Sequence, residues 1–287
     1  MRHSVFGIRA DRSFDQMSTD FGIITLSDAN YFPGLLMLHR SVQESLACTV
    51  ACFDVGLSAE QKARAATLRN LEILPLPIDP LIPRIKAAMS AAPPLLKVHK
   101  RVWPLWTCPV LIKHAPFRDV IWMDCDLVVL RRLPQLFAAI ESGPVFTPEN
   151  NAPHATPNRA ELYELLPIRR PFNPLVPTIN GGVSGWRKDR DAAAIEAYIL
   201  PVEHATIDPK VRDAISWQDQ GALIWAIQSC GLEHRVAPTT DWNLCVRNTP
   251  IADRPISWDD KFIETARATV ANANIIHWNG QRPPWLS

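Results

Sequence analysis

Long apolar runs are missing from this 287-residue chain, and no uncharged stretch approaches the length of a membrane span. A net charge of +1 offers no electrostatic handle for nucleic acid or for an anionic membrane surface. No secretory leader is visible. The six cysteines (Cys48, Cys52, Cys108, Cys125, Cys230, Cys245) lack metal-knuckle spacing, so burial as small apolar residues and a reducing, cytoplasmic setting are expected. Glycine is scarce: 11 against 26 prolines, a balance that predicts rigid loops. No Gly-x-Gly-x-x-Gly follows the first strand, which argues against a dinucleotide-binding dehydrogenase. There is no internal repeat and no clear domain linker. The ten tryptophans belong mainly in the core, with sugar stacking as the alternative.

What is present centres on residues 120–137. Val120–Met123 reads as a buried strand, and Leu127–Leu130 continues the apolar run. Asp124 and Asp126 interrupt it where the strand should emerge. Two acids in an apolar run cost several kcal/mol of desolvation unless a cation meets them. In extended chain, i and i+2 share a face, so both carboxylates reach one hard divalent ion. A pair of solvated acids in a turn is the plain alternative.

Around this stretch, strands alternate with helices. Strands are expected at 21–27, 49–55, 72–76, 143–147, 178–186 and 235–237, and helices at 35–46, 58–68, 106–114, 133–140, 189–200 and 217–229. Ser58 with Gln61 makes a capping box, and Ser216 with Asp219 resembles a second. Residues 1–20 read as a flexible N-terminal arm. Residues 77–100 read as a Pro-rich basic loop with helical pieces, and 148–178 as a long surface loop. The alternation predicts an α/β domain over 21–287 with a mostly parallel central sheet flanked by helices.

Four pieces stand out together: Asp28-x-Asn30-Tyr31, Asp124-x-Asp126, Asn180-Gly-Gly-Val with Asp219-Gln220-Gly221, and His277-x-x-Gly280-x-x-Pro-Pro-Trp285. In that order they resemble the retaining glycosyltransferases of family 8, the glycogenin-like and lipopolysaccharide-galactosyltransferase-like enzymes. The resemblance spans residues 21–285 and implies a single-domain GT-A fold. It also implies transfer of a hexose from a UDP-sugar to a glycan, lipid-linked or protein acceptor. By that resemblance Asp124, Asp126 and His277 bind Mn2+ or Mg2+, while Asp28, Asn30 and Tyr31 grip uracil and ribose. Gly280 and Arg282 belong to the C-terminal donor motif. Asn180, Asp219 and Gln220 lie beside the transferred sugar, with Glu149 nearby. On residue type alone, Asp28 also suits a turn, Asp219 a helix cap and His277 a satisfied buried histidine.

Two positions depart from the family pattern. Pro283 replaces the lysine of Lys-Pro-Trp, and Cys108 replaces the lysine of an upstream Thr-Lys-Pro. Arg282, Lys97, Lys100 and Arg101 are possible substitutes. A lapsed, nucleotide-binding GT-A protein is therefore an alternative. A haloacid-dehalogenase-type phosphatase is another, with Asp124 as nucleophile and Asp126 as acid/base. That motif normally follows a first strand, and it gives His277–Trp285 no task. No basic amphipathic tail follows Trp285, so docking to a membrane through one is not expected.

Overall fold

The computed structural model describes residues 20–92, 102–149, 159–168, 170, 178–215, 219–253, 257–279 and 283–286. Residues 1–19 of the proposed arm over 1–20, the substitutes Lys97, Lys100 and Arg101, the cap residue Ser216, and Gly280 and Arg282 lie outside these residues.

The chain opens with β1 (Phe21–Ser27), α1 (Phe32–Ser45), β2 (Thr49–Asp54), α2 (Ala59–Ala65) and β3 (Leu71–Leu74). These strands pair in parallel, in the order β3-β2-β1. β1 is buried on both faces, as its largely apolar run, interrupted by Thr25, suits in a central parallel strand. Helix α2 starts on the expected capping box of Ser58 and Gln61. Helix α1 begins at Phe32, three residues before the expected start, because Pro33 sits in its first turn, where its fixed φ suits a helix and no N–H is missed.

The segment expected as a loop with helical pieces over 77–100 holds one such helix, α3 (Leu81–Ser90), whose apolar face is Leu81, Ile82, Ile85 and Met89. A 3-10 turn (Trp103–Thr107) leads into α4 (Cys108–Lys113) and β4 (Asp119–Met123). β4 pairs in parallel with β1, on the side away from β2. The apolar run then leaves the sheet: β5 (Leu127–Val129) joins a second, three-stranded sheet ordered β5-β9-β8. Next come α5 (Leu133–Ile140), β6 (Val145–Pro148), α6 (Arg159–Leu165) and β7 (Ile179–Arg187). Helix α6 lies inside the stretch expected as one long loop.

β7 runs antiparallel between β4 and β6, which completes the six-stranded order β3-β2-β1-β4-β7-β6. The chain continues through α7 (Ala192–Ala205), α8 (Pro209–Ala214) and α9 (Asp219–Cys230). It closes with β8 (Leu244–Cys245), α10 (Pro250–Asp253), α11 (Phe262–Thr269) and β9 (Ile275–His277). The strand expected at 235–237 reduces to one bridge, Phe146 with Val236.

One apolar cluster packs α3, α4, α7 and α9 against one face of the large sheet, and another packs α1 and α5 against the other. A third joins the small sheet to α11 through Phe262, Trp278 and Trp258. Trp106, Trp122, Trp186, Trp225, Trp242 and Trp278 are buried, so core claims most tryptophans. All six cysteines are free, and all but Cys230 are buried. The fold is thus α/β, with one antiparallel strand in an otherwise parallel main sheet.

Candidate functional site

The direction of chain winding reverses between β1 and β4. From β1 the chain moves outward to β2 and β3, then returns to place β4 on the opposite flank. A ligand crevice opens at the carboxyl ends of strands at such a switch point. Asp28 follows β1 and Asp124 follows β4, so both motifs flank this crevice. β7 is antiparallel, so its beginning lies beside the end of β4, and Asp124 N–H donates to the Gly182 carbonyl at 3.0 Å. The end of β6 reaches the same edge, where Thr147 pairs with Asn180 across a register shift. The small sheet brings in the last piece: Leu127 of β5 pairs with His277 of β9.

These strand ends assemble a compact ligand set. One ligand atom each from Asp124, Asp126 and His277 lies within 4.8 Å of the others. His277 Nε2 stands 3.1 Å from Asp126 Oδ1 and 3.7 Å from Asp124 Oδ2. The Trp122 indole N–H donates to Asp124 Oδ1 at 3.0 Å. Burial pushes the Asp124 carboxyl up to about 6, with His277 opposing and Asp126 adding to the rise. Burial works against a charged His277, yet its pKa is raised because Asp126 and Asp124 face the ring. Two carboxylates and a neutral imidazole nitrogen form a donor set that fits a hard divalent ion such as manganese.

Behind the histidine lies a polar wall. Asn243 Oδ1 faces His277 Nδ1 at 2.9 Å, and Asn243 Nδ2 donates to Asn180 Oδ1 and Thr147 Oγ1, each at 2.9 Å. Asn180 Nδ2 donates to Glu149 Oε2 at 3.0 Å, and Asn279 Nδ2 reaches the same oxygen at 3.1 Å. Gly181 and Gly182 let this wall close up. A Cβ on Gly182 would stand 2.6 Å from His277 Cε1, and one on Gly181 would stand 3.2 Å from Asp219 Oδ2. Gln220 Oε1 accepts from Gly181 N–H at 3.3 Å.

Asp219 opens α9 and takes the Tyr198 hydroxyl at 2.6 Å. The same hydroxyl lies 3.5 Å from Cys108 Sγ. Burial pushes the Asp219 carboxyl up to about 7, against the Tyr198 hydrogen bond.

At the end of β1, Asp28 Oδ1 accepts from the backbone N–H of Asn30 and Tyr31, at 2.9 and 3.0 Å. This shapes the turn into α1 and leaves Asn30 exposed at the crevice mouth. The Tyr31 ring meets Trp285 edge-on at 6.3 Å, and burial, with Asp126 adding, pushes its phenol up to about 12. Trp285 in turn packs on Trp258 and lies against Gly34, where a Cβ would stand 2.5 Å from its Cζ2. Trp285, at the end of the C-terminal motif, is therefore packed onto the β1–α1 turn.

Cys108 and Pro283, the two departures from the family pattern, are both buried. Sequence reasoning missed two residues of this neighbourhood, Asn243 and Arg247. Arg247 lays its guanidinium on the Asn279 carbonyl at 3.1 Å and on Cys245 Sγ at 3.2 Å, with no ion-pair partner among the described residues. Both residues sit in the short irregular segment around β8, where no periodicity marks them.

Neither a protein-family model nor a curated protein sequence matches the chain. Solved structures do. The galactosyltransferase LgtC, crystallised with donor and acceptor sugar analogues, matches with 17% identity and a TM-score of 0.63, over 92% of this chain and 89% of that one. The apo bifunctional glycosyltransferase WbbM matches with 14% identity and a TM-score of 0.57, over 94% of this chain and 47% of that one. Apo mouse xyloside xylosyltransferase 1 matches with 12% identity and a TM-score of 0.52, over 91% and 98%. The chain thus has the GT-A glycosyltransferase fold that its four motifs, in their order, imply.

Proposed function

We propose that this chain is a metal-dependent retaining glycosyltransferase that moves a hexose from a UDP-sugar to a glycan, lipid-linked or protein acceptor. The observation that carries this reading is the convergence of Asp124, Asp126 and His277 at the switch point of a GT-A sheet. These three would hold Mn2+ or Mg2+; when bound, such an ion supplies positive charge opposite a departing diphosphate. Asp28, Asn30 and Tyr31 take the nucleoside end of the donor, and Gly280 and Arg282 serve its phosphate end. Asn180, Asp219 and Gln220 face the transferred sugar. Gln220 has its oxygen tied to the Gly181 N–H, so what it offers a sugar oxygen is its amide N–H donors. A polar group held at a developing oxocarbenium-like centre lowers the barrier without reorganising. The acceptor hydroxyl enters from the leaving-group side, so the anomeric configuration is kept. The free, buried cysteines suit a reducing, cytoplasmic setting, and no helix among the described residues is long and apolar enough to cross a membrane.

A second reading, nucleotide binding without turnover, is favoured by Cys108 and Pro283, which bury neutral groups where the family carries lysines. Arg247 weighs on the other side, as a cation beside the C-terminal motif with no carboxylate partner among the described residues.

Calorimetric titration of UDP with and without manganese tests the proposal. Binding is expected only with the metal, and Asp124→Ala combined with Asp126→Ala is expected to abolish it while the fold persists. Full affinity in that double variant would remove the metal from the site. Hydrolysis or transfer of a UDP-sugar then separates the enzyme from the binder.

A further inference from the structure

Asn243 belongs to none of the four motifs, yet it stands directly behind the metal-site histidine. It is 1% exposed and ends a 3-10 turn just before β8. Its hydrogen bonds have a direction that can be followed from one end. Glu149 Oε2 receives two amide N–H donors, from Asn180 and Asn279, and so acts as an acceptor. Asn180 spends its Nδ2 there, which leaves Oδ1 as its accepting atom, and Gly182 N–H donates to that oxygen at 2.8 Å. The second group on Asn180 Oδ1 must then be a donor as well, and it is Asn243 Nδ2. Asn243 is left with its oxygen facing His277 Nδ1 at 2.9 Å, so the ring nitrogen there carries the proton. The other ring nitrogen, Nε2, is the one aimed at Asp126 and Asp124.

We infer that Asn243 is a positioning residue. Through the chain Glu149–Asn180–Asn243 it holds the proton of His277 on Nδ1 and reserves Nε2 as a ligand for a divalent ion. The inference rests on the metal reading of Asp124, Asp126 and His277. It also gives Asn180 and Glu149 a second task, since the wall assigned to the sugar is the same wall that orients the metal ligand. A metal-bound histidine held by a hydrogen-bonded partner on its other nitrogen gains both orientation and basicity.

The test is a manganese titration of wild type, His277→Ala, Asn243→Ala and Asn243→Asp, followed by the paramagnetic resonance of free Mn2+, with thermal unfolding of the metal-free proteins alongside. Asn243→Ala is expected to bind Mn2+ about 10–100-fold more weakly. Asn243→Asp keeps an acceptor at Nδ1 but sets an oxygen against Asn180 Oδ1. It should therefore lose thermal stability while binding Mn2+ within about threefold of wild type, since the ligand's partner is preserved. A merely structural asparagine gives the opposite pattern, with metal affinity following stability in both variants. Wild-type affinity in Asn243→Ala, or equal losses in the Ala and Asp variants, overturns the inference while the metal site stands. Should Asn243→Ala not fold, Thr147→Val removes one anchor of the Asn243 amide and is expected to weaken Mn2+ binding in the same direction; no change there overturns the inference. Unchanged affinity in His277→Ala overturns the metal reading itself, and the inference with it.

Discussion

Asp219 illustrates how much of a residue's chemistry lies in partners that are distant in sequence. Its neighbour Gln220 and the glycine after it mark the motif, but burial under distant elements sets its state, opposed by the hydrogen bond from Tyr198 on α7. Burial raises its carboxyl to about 7, whereas an unfolded aspartate titrates near 3.9. The folded chain therefore binds this proton more tightly than the unfolded one. The stability it contributes is fully present below about pH 4 and is lost as pH rises to about 7. Asp219→Asn removes that loss. Its stability relative to wild type should climb by at least about 1 kcal/mol between pH 4 and pH 8, measured by urea unfolding at each pH. A pH-independent difference would show that Asp219 ionises normally in the fold.

At the scale of elements, β7 matters most to the site. An antiparallel strand inserted between two parallel ones brings its first residues, rather than its last, to the active edge. The groups that close on the glycines at 181 and 182 are His277 and Asp219. The His277 ring has little freedom to yield, since Asn243 and Asp126 hold its two nitrogens. Gly182→Ala is accordingly expected to displace the ring and weaken manganese binding at least about tenfold, a loss comparable to removing a supporting partner. The same titration of free Mn2+ reads it, and an unchanged affinity would mean the strand shifts instead. Prolines here open helices as well as mark loops. Pro33, Pro109, Pro134 and Pro209 sit in the first turns of α1, α4, α5 and α8, where the missing N–H costs nothing.

At the scale of the molecule, the candidate metal-site residues are brought together from both sheets. Asp124 follows a strand of the large sheet, and His277 ends a strand of the small one. A ligand that spans them ties the two sheets together and stabilises the native state by mass action. UDP with manganese at 100 times the dissociation constant should add about 2.7 kcal/mol, a rise of roughly 5–10 °C in the unfolding midpoint for a domain of this size. Scanning calorimetry should show that rise with both ligands together and a smaller one with manganese alone. Equal shifts from both treatments would place the metal away from the nucleotide.

The sequence by itself determined the elements that carry their own periodicity or punctuation. β1, β2, α2 and α5 fall where apolar spacing, the Ser58–Gln61 capping box and the Leu133–Ile140 stripe place them. It also determined the four motifs and, through their order, the fold class. Tertiary structure alone decided which nitrogen of His277 meets the carboxylates, that Asn243 and Arg247 belong to the neighbourhood, and that Cys108 and Pro283 are buried without charge. The reason is physical. Periodicity and capping act over a few residues of one chain segment, whereas a hydrogen-bonded wall joins β6, β7, β9 and the turn before β8 from positions up to 130 residues apart. No local pattern encodes that meeting; the strand order does.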